Sequence, residues 1–178
     1  VHDSTMEFLK YCIRKQPLLA VWLPKVAVVF LGYRCHLYDK TKMKESFYTT
    51  FLPRITDIDE KITAFWDEKE SGIKSWYLHQ QKADDVIISA SPEFLIKPIC
   101  ERLHISYVLA SRVDPYTGKY TGLNCHGEEK VRRFEQMEWY GVVDEFYRDS
   151  YSDTPLARLA VQKAVLVDGD NLSEWKKR

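Results

Sequence analysis

The chain lacks the features that would assign it at once to a nucleic-acid, membrane or metal-cluster class. Lys plus Arg number 26 and Asp plus Glu number 26, a formal net charge of zero, so the basic excess of a nucleic-acid binder is missing. Arg132-Arg133 and Lys176-Lys177-Arg178 are local basic clusters and read as solvated faces. Long hydrophobic runs are missing too. The most apolar part, Leu18 to Tyr33, holds two runs of six residues, Leu18–Leu23 and Val26–Leu31, split by Pro24-Lys25. Each is far shorter than the roughly 20 residues needed to cross a bilayer. Cysteines at 12, 35, 100 and 125 show neither zinc-knuckle nor redox-pair spacing. They read as reduced thiols of a cytoplasmic protein. Histidines at 2, 36, 79, 104 and 126 show no ligand spacing. No secretory signal, internal repeat or low-complexity tract is visible.

What is present is an ordinary globular composition. The 178 residues are 45% hydrophobic and 13% aromatic, enough for one domain, or a core with a sizeable insertion. Residues 4 to 15 carry apolar positions at helical spacing, with Asp3 or Ser4 as cap. The runs in 18–31 read as buried or partner-facing helix pieces, and a shallow membrane contact through them stands as the secondary reading. Asp39 to Leu52 and Ile55 to Gln80 read as helices. Phe47, Phe51, Ile58, Ile62, Phe65, Trp66, Trp76, Tyr77 and Leu78 are their expected core.

From residue 86 the texture changes. Val86-Ile87-Ile88 is a short continuous apolar run, as in a buried parallel strand. A turn over Ser89–Glu93 and a helix over Phe94–Leu103 follow, then a strand at Tyr107–Ala110 and a hairpin turning at Asp114-Pro115-Tyr116-Thr117-Gly118. A helix at Glu128–Met137, a strand at Val142–Tyr147, a short helix at Leu156–Val161 and a last strand at Ala164–Val167 complete the reading. Strands alternating with helices predict a parallel sheet with crossovers. The expected fold is α/β: a Rossmann-like parallel sheet core flanked by helices, formed by 1–9 and 81–178, with a mostly helical inserted cap over 10–80.

Three segments carry chemistry. Asp149 and Asp153 lie four residues apart where a strand ends and a helix begins. Ligands bind at the carboxyl ends of strands in open α/β sheets, and two hard oxygen donors there suit Mg²⁺; the competing reading is an acidic loop with a capping Asp. Ser89 follows the first strand, where its hydroxyl and the next helix N-terminus would hold a phosphate oxygen, or where it simply caps that helix. Lys130 stands at a helix start, awkward beside the positive end of the dipole unless an anion lies opposite. Its competing reading is a surface lysine.

In that order and spacing, Ile87-Ile88-Ser89-Ala90-Ser91-Pro92-Glu93-Phe94-Leu95, Gly127-Glu128-Glu129-Lys130 and Asp149-Ser150-Tyr151-Ser152-Asp153-Thr154-Pro155-Leu156 resemble the haloacid dehalogenase-like hydrolases, in their phosphoserine-phosphatase-like branch (subfamily IB). That branch carries a helical cap between its first and second motifs. The resemblance implies a Mg²⁺-dependent phosphomonoester hydrolase acting through an aspartyl-phosphate on a small phosphorylated metabolite. It implies Asp149 as metal ligand, Asp153 as its orienting partner, Ser89 and Lys130 as holders of the phosphoryl group, and Asp3 as a substrate contact, although capping the first helix is the preferred role for Asp3. The alternatives are a lipid-phosphate phosphatase of the same branch, suggested by 18–31, and a non-catalytic phosphate-binding protein. The family's first motif, Asp-x-Asp-x-Thr or Val, has no counterpart here. Val1-His2-Asp3-Ser4-Thr5-Met6-Glu7-Phe8 looks like what normally follows it, so the nucleophile is expected upstream of Val1.

Overall fold

A computed structural model describes residues 3–138, 141–149 and 154–175. The chain opens on helix α1 (Ser4–Lys15). Asp3 sets its start, accepting the Thr5 backbone N–H at 2.9 Å, one of the donors every helix N-terminus leaves open. Pro17 cannot continue the ladder, and a 3-10 turn runs from it to Trp22. Helix α2 (Leu23–Arg34) follows, with Pro24 in its first turn, where a missing N–H costs nothing. Helix α3 (Lys40–Phe51) is capped by Asp39, which accepts from the Lys42 N–H at 2.7 Å. The single helix expected over 55–80 is instead α4 (Ile58–Lys69), a 3-10 turn at Glu70–Gly72, and α5 (Ser75–Gln80).

The second half alternates as expected: β1 (Val86–Pro92), α6 (Glu93–Arg102), β2 (Tyr107–Ser111), α7 (Glu128–Glu135), β3 (Val143–Arg148), α8 (Thr154–Ala157), β4 (Ala160–Asp168) and β5 (Asn171–Glu174). β1 and β2 pair in parallel, with Val86 opposite Tyr107 and Ser89 opposite Ala110. β3 and β4 also pair in parallel, and β5 returns antiparallel to β4. The α/β architecture with helices flanking parallel strands therefore holds.

Several boundaries move. β1 runs on to Pro92, so Ser89 lies within the strand and not in a turn after it. β1 is half-buried, not buried, since among the described strands it has β2 alone as a neighbour. The helix expected at 156–161 is the short α8, because β4 already begins at Ala160. The unexpected β5 arises from a turn at Asp168-Gly169-Asp170, with Gly169 at φ +62°; an Asp-Gly pair is a strong hairpin signal. The hairpin at 114–118 is as expected: Asp114 accepts from the N–H groups of Tyr116 (2.9 Å) and Thr117 (2.6 Å), beneath a Val113–Tyr120 bridge.

One hydrophobic cluster ties the helical half to the α/β half. Phe8 and Tyr11 meet the Phe65 ring edge-on, at 5.4 and 5.7 Å between centroids. Trp66 donates its indole N–H to the Leu95 carbonyl at 2.7 Å. Leu95, Ile99 and Val113 complete the cluster from the α/β side. The expectation for Leu78 fails here, since it is exposed. Most side chains of 18–31 are exposed as well, which removes the buried reading of those runs and leaves the partner-facing one; within α2 only Gly32 is buried.

Candidate active site

Helix α3 is seated on the 113–120 hairpin by close backbone contact. A Cβ on Gly118 would lie 2.4 Å from the Tyr48 carbonyl carbon, so only glycine admits this approach. Gly118 also sits at φ +74°, which L side chains rarely adopt. The Tyr48 and Tyr120 rings meet at 5.9 Å, and Glu45 accepts the Tyr120 N–H at 3.3 Å.

That seating carries two lysines, one helical turn apart, to the mouth of the β1–β2 pair. Lys44 Nζ donates to the Ala90 carbonyl at 3.1 Å. Lys40 Nζ lies 3.0 Å from His126 Nε2 in the loop before α7. Ala90 follows Ser89, whose Oγ accepts the Ser91 N–H at 3.1 Å. Ser111, fully buried at the end of β2, braces the same spot. Its hydroxyl lies 3.2 Å from Ala90 O and 3.1 Å from Asn124 Oδ1, and accepts the Cys125 N–H at 2.9 Å.

Lys130 is 1% exposed, so the surface-lysine reading fails. It stands in the first turn of α7, after Gly127 at φ +59°. The helix is held in place by Glu129 and Arg133, paired at 2.7 Å. The Arg133 guanidinium also donates to the carbonyls of Ala110 (2.6 Å) and Leu123 (2.5 Å). Hydrogen bonds from Arg132, then Arg133, hold the Glu129 carboxyl at about 2, far below its ordinary range, against the opposing effect of burial.

Lys44 reports how these groups converge. Burial lowers its pKa first, and the charges of Lys40, Lys130 and Arg148 push the same way, while Asp3 opposes them. Lys44, hydrogen-bonded to Ala90, thus feels the charges of Lys40 on the same helix, Lys130 of α7, Arg148 of β3 and Asp3. Arg148 Nε in turn lies 3.2 Å from Oδ1 of its chain neighbour Asp149. Of the residues expected from sequence, Ser89 precedes Ala90, Lys130 and Asp3 act on Lys44 by their charge, and Asp149 contacts its chain neighbour Arg148; Asp3 also caps α1. Asp153 lies outside the described residues. Lys40, Lys44, Ser111 and Arg148 were not foreseen. The one local signal for the two lysines is their spacing of four on a capped helix.

An ammonium at the Ala90 carbonyl, next to the Ser89 hydroxyl, offers the kind of donor that can hold phosphate oxygens. For a divalent metal the donor set is small. Among the described residues no group of three or more His, Cys, Asp or Glu side chains gathers. Mg²⁺, however, takes one or two carboxylates plus waters and a substrate phosphate. Asp149, half-exposed at the end of β3, fits as one such carboxylate.

The chain matches the model of the haloacid dehalogenase-like hydrolase family over residues 1–158. It is similar to the histidinol-phosphatase of Neisseria meningitidis serogroup C, 33% identical over 106 residues, covering 52% of this chain and 47% of that protein. It is also similar to a Mycobacterium tuberculosis protein named as a probable phosphatase, 35% identical over 94 residues, covering 49% of this chain and 32% of the relative. The matched stretch spans less than half the length of either relative. No solved structure matches the chain significantly.

Proposed function

The chain belongs to the haloacid dehalogenase-like hydrolase family, and on that premise we propose that the protein containing it is a Mg²⁺-dependent phosphatase of a small phosphomonoester, of the phosphoserine-phosphatase-like branch. The carrying observation is the hydrogen bond of Lys44 to the carbonyl of Ala90, next to Ser89, from a lysine that also feels the charges of Lys130 and Arg148. The names of the relatives support phosphate-ester hydrolysis, and that of the Neisseria protein supports a small metabolite as substrate.

In this reading Ser89 and Lys130 hold the non-bridging oxygens of the transferring phosphoryl group. Lys44 adds a second ammonium from the cap side. Their charges offset the repulsion between the phosphate dianion and an attacking carboxylate. The attack breaks the ester P–O bond, gives an aspartyl-phosphate and releases the alcohol after it takes a proton; water then attacks phosphorus, freeing phosphate and regenerating the carboxylate. No residue of 1–178 is assigned as that nucleophile. Asp149 would hold Mg²⁺, which supplies further charge neutralisation when bound. Asp153 would orient the metal's water or Lys130, and Asp3 would face the alcohol part of the substrate. Residues 10–80 are the proposed cap, with the core formed by 1–9 and 81–178.

Phosphate release from p-nitrophenyl phosphate by the whole protein tests this reading. It predicts turnover with Mg²⁺, none in EDTA, and loss of Mg²⁺-dependent turnover in Asp149→Asn with the fold retained. Full activity in EDTA, or in Asp149→Asn, contradicts the metal assignment. Phosphate binding without any turnover would make the protein a non-catalytic phosphate binder.

A further inference from the structure

Taken together as Pro17–Arg34, the two short apolar runs match a membrane-crossing helix in overall length and composition only, and just 11% of the stretch is buried. A helix that is apolar on every side belongs in a protein core or in lipid. Helix α2 is apolar all round through Val26-Ala27-Val28-Val29-Phe30-Leu31, and it is in no core: Val28 is 69% exposed and Leu31 63%. The exposed apolar surface extends on either side, to Leu18 at 78% and Leu37 at 72%. Monomeric soluble proteins rarely leave such a patch uncovered.

Charge says what covers it. No Asp or Glu occurs between Glu7 and Asp39, although acidic and basic residues balance over the whole chain. Arg14 and Lys15 are turned to Glu68. Lys25 and Arg34 are the exposed cations of the apolar stretch itself, and Lys42 lies just beyond it, over the Tyr38 ring at 5.3 Å. Trp22, Phe30, Tyr33 and Tyr38 add the aromatic side chains that favour a lipid headgroup boundary. A second copy of the chain would oppose these cations with like charges in a self-complementary contact; a layer of anionic headgroups would neutralise them.

We propose that 18–37 docks on the surface of a bilayer containing anionic lipid, and lies on it without crossing it. Three features favour lying over spanning. The stretch is broken into a 3-10 turn and a helix at Leu23-Pro24. Leu19 and Gly32 are buried, so the protein holds it from one side. Lys25 stands in its middle, tolerable at an interface where its ammonium reaches water and costly at the centre of a bilayer. Helix α2 packs on α3, which carries Lys40 and Lys44, so docking places these lysines one helix away from the lipid. The docking does not depend on catalysis, and its test reads none.

Co-sedimentation of the whole protein with phosphatidylcholine vesicles, with and without phosphatidylglycerol, tests this. The expected result is binding to the anionic vesicles, weakened by salt, and reduced about tenfold or more in the double variant Val28→Glu/Leu31→Glu. Both positions are exposed, and an unchanged circular dichroism melt shows that the variant is folded. A protein left in the supernatant with both vesicles overturns the proposal. So does a double variant that binds as well as the parent, or a parent that self-associates through this face without lipid and becomes monomeric in the double variant. Equal binding to neutral vesicles overturns the requirement for anionic lipid.

Discussion

Lys44 Nζ donates a 3.1 Å hydrogen bond to the carbonyl of Ala90, the residue after Ser89. This contact joins the helical region 10–80 to the β1–β2 pair and sets a cation beside the serine proposed to grip phosphate.

Lys44 is the residue whose removal separates substrate affinity from fold. Burial, then the neighbouring Lys40, Lys130 and Arg148, hold its pKa below the ordinary lysine range. Below that lowered pKa it is an ammonium and attracts the anion; as pH rises through it, the charge and the attraction are lost. KM should therefore climb on the alkaline side at a pH lower than a free lysine would give. Lys44→Met should raise KM about tenfold, the worth of one charge-assisted hydrogen bond, and abolish that limb. A KM–pH profile identical in parent and variant would remove Lys44 from the site.

Gly118→Ala should destabilise the protein by about 2–4 kcal/mol, since the new Cβ meets helix backbone and the φ is strained. Because the clash is with Tyr48 and not with a flexible side chain, α3 must move, and Lys44 with it. Urea melts together with phosphatase assays check this. Gly72→Ala is the control: nothing lies within 4 Å of its Cβ, and φ is ordinary.

Glu129 predicts an acid limb of stability. Its carboxyl is held at about 2 in the fold, against an ordinary value of 4.5. The folded-state value is depressed, so the contribution is present above about 4.5 and disappears as pH falls towards about 2. Glu129→Gln should lower stability at neutral pH and flatten its decline across that window. Thermal melts at stepped pH measure it, and a variant with the parent's pH slope would contradict it.

Local features were legible in the sequence because local chemistry produces them. Asp3 and Asp39 announce helix starts by the cap they offer, and Asp114 to Gly118 announces a turn by its own hydrogen bonds. The order of Ser89, Lys130 and Asp149 led to the right family. Lys40 and Lys44 were illegible because their place depends on how α3 docks, which Gly118 permits through a contact 70 residues away in the chain (from Tyr48). The extent of β1 was misread at Ser89, since the pairing with Ala110 carries the strand past its apolar residues. The runs within 18–31 read as buried or partner-facing, and the structure leaves most of their side chains exposed. Apolar composition marks a surface to be covered and does not say by what.

Calorimetric titration of inorganic phosphate tests the central claim most directly, because it reads anion binding without requiring turnover. The account predicts saturable binding by the protein, weakened about tenfold or more in Lys130→Met, with circular dichroism confirming that the variant is folded. Phosphate affinity unchanged by Lys130→Met, or no binding by the parent protein, would contradict it.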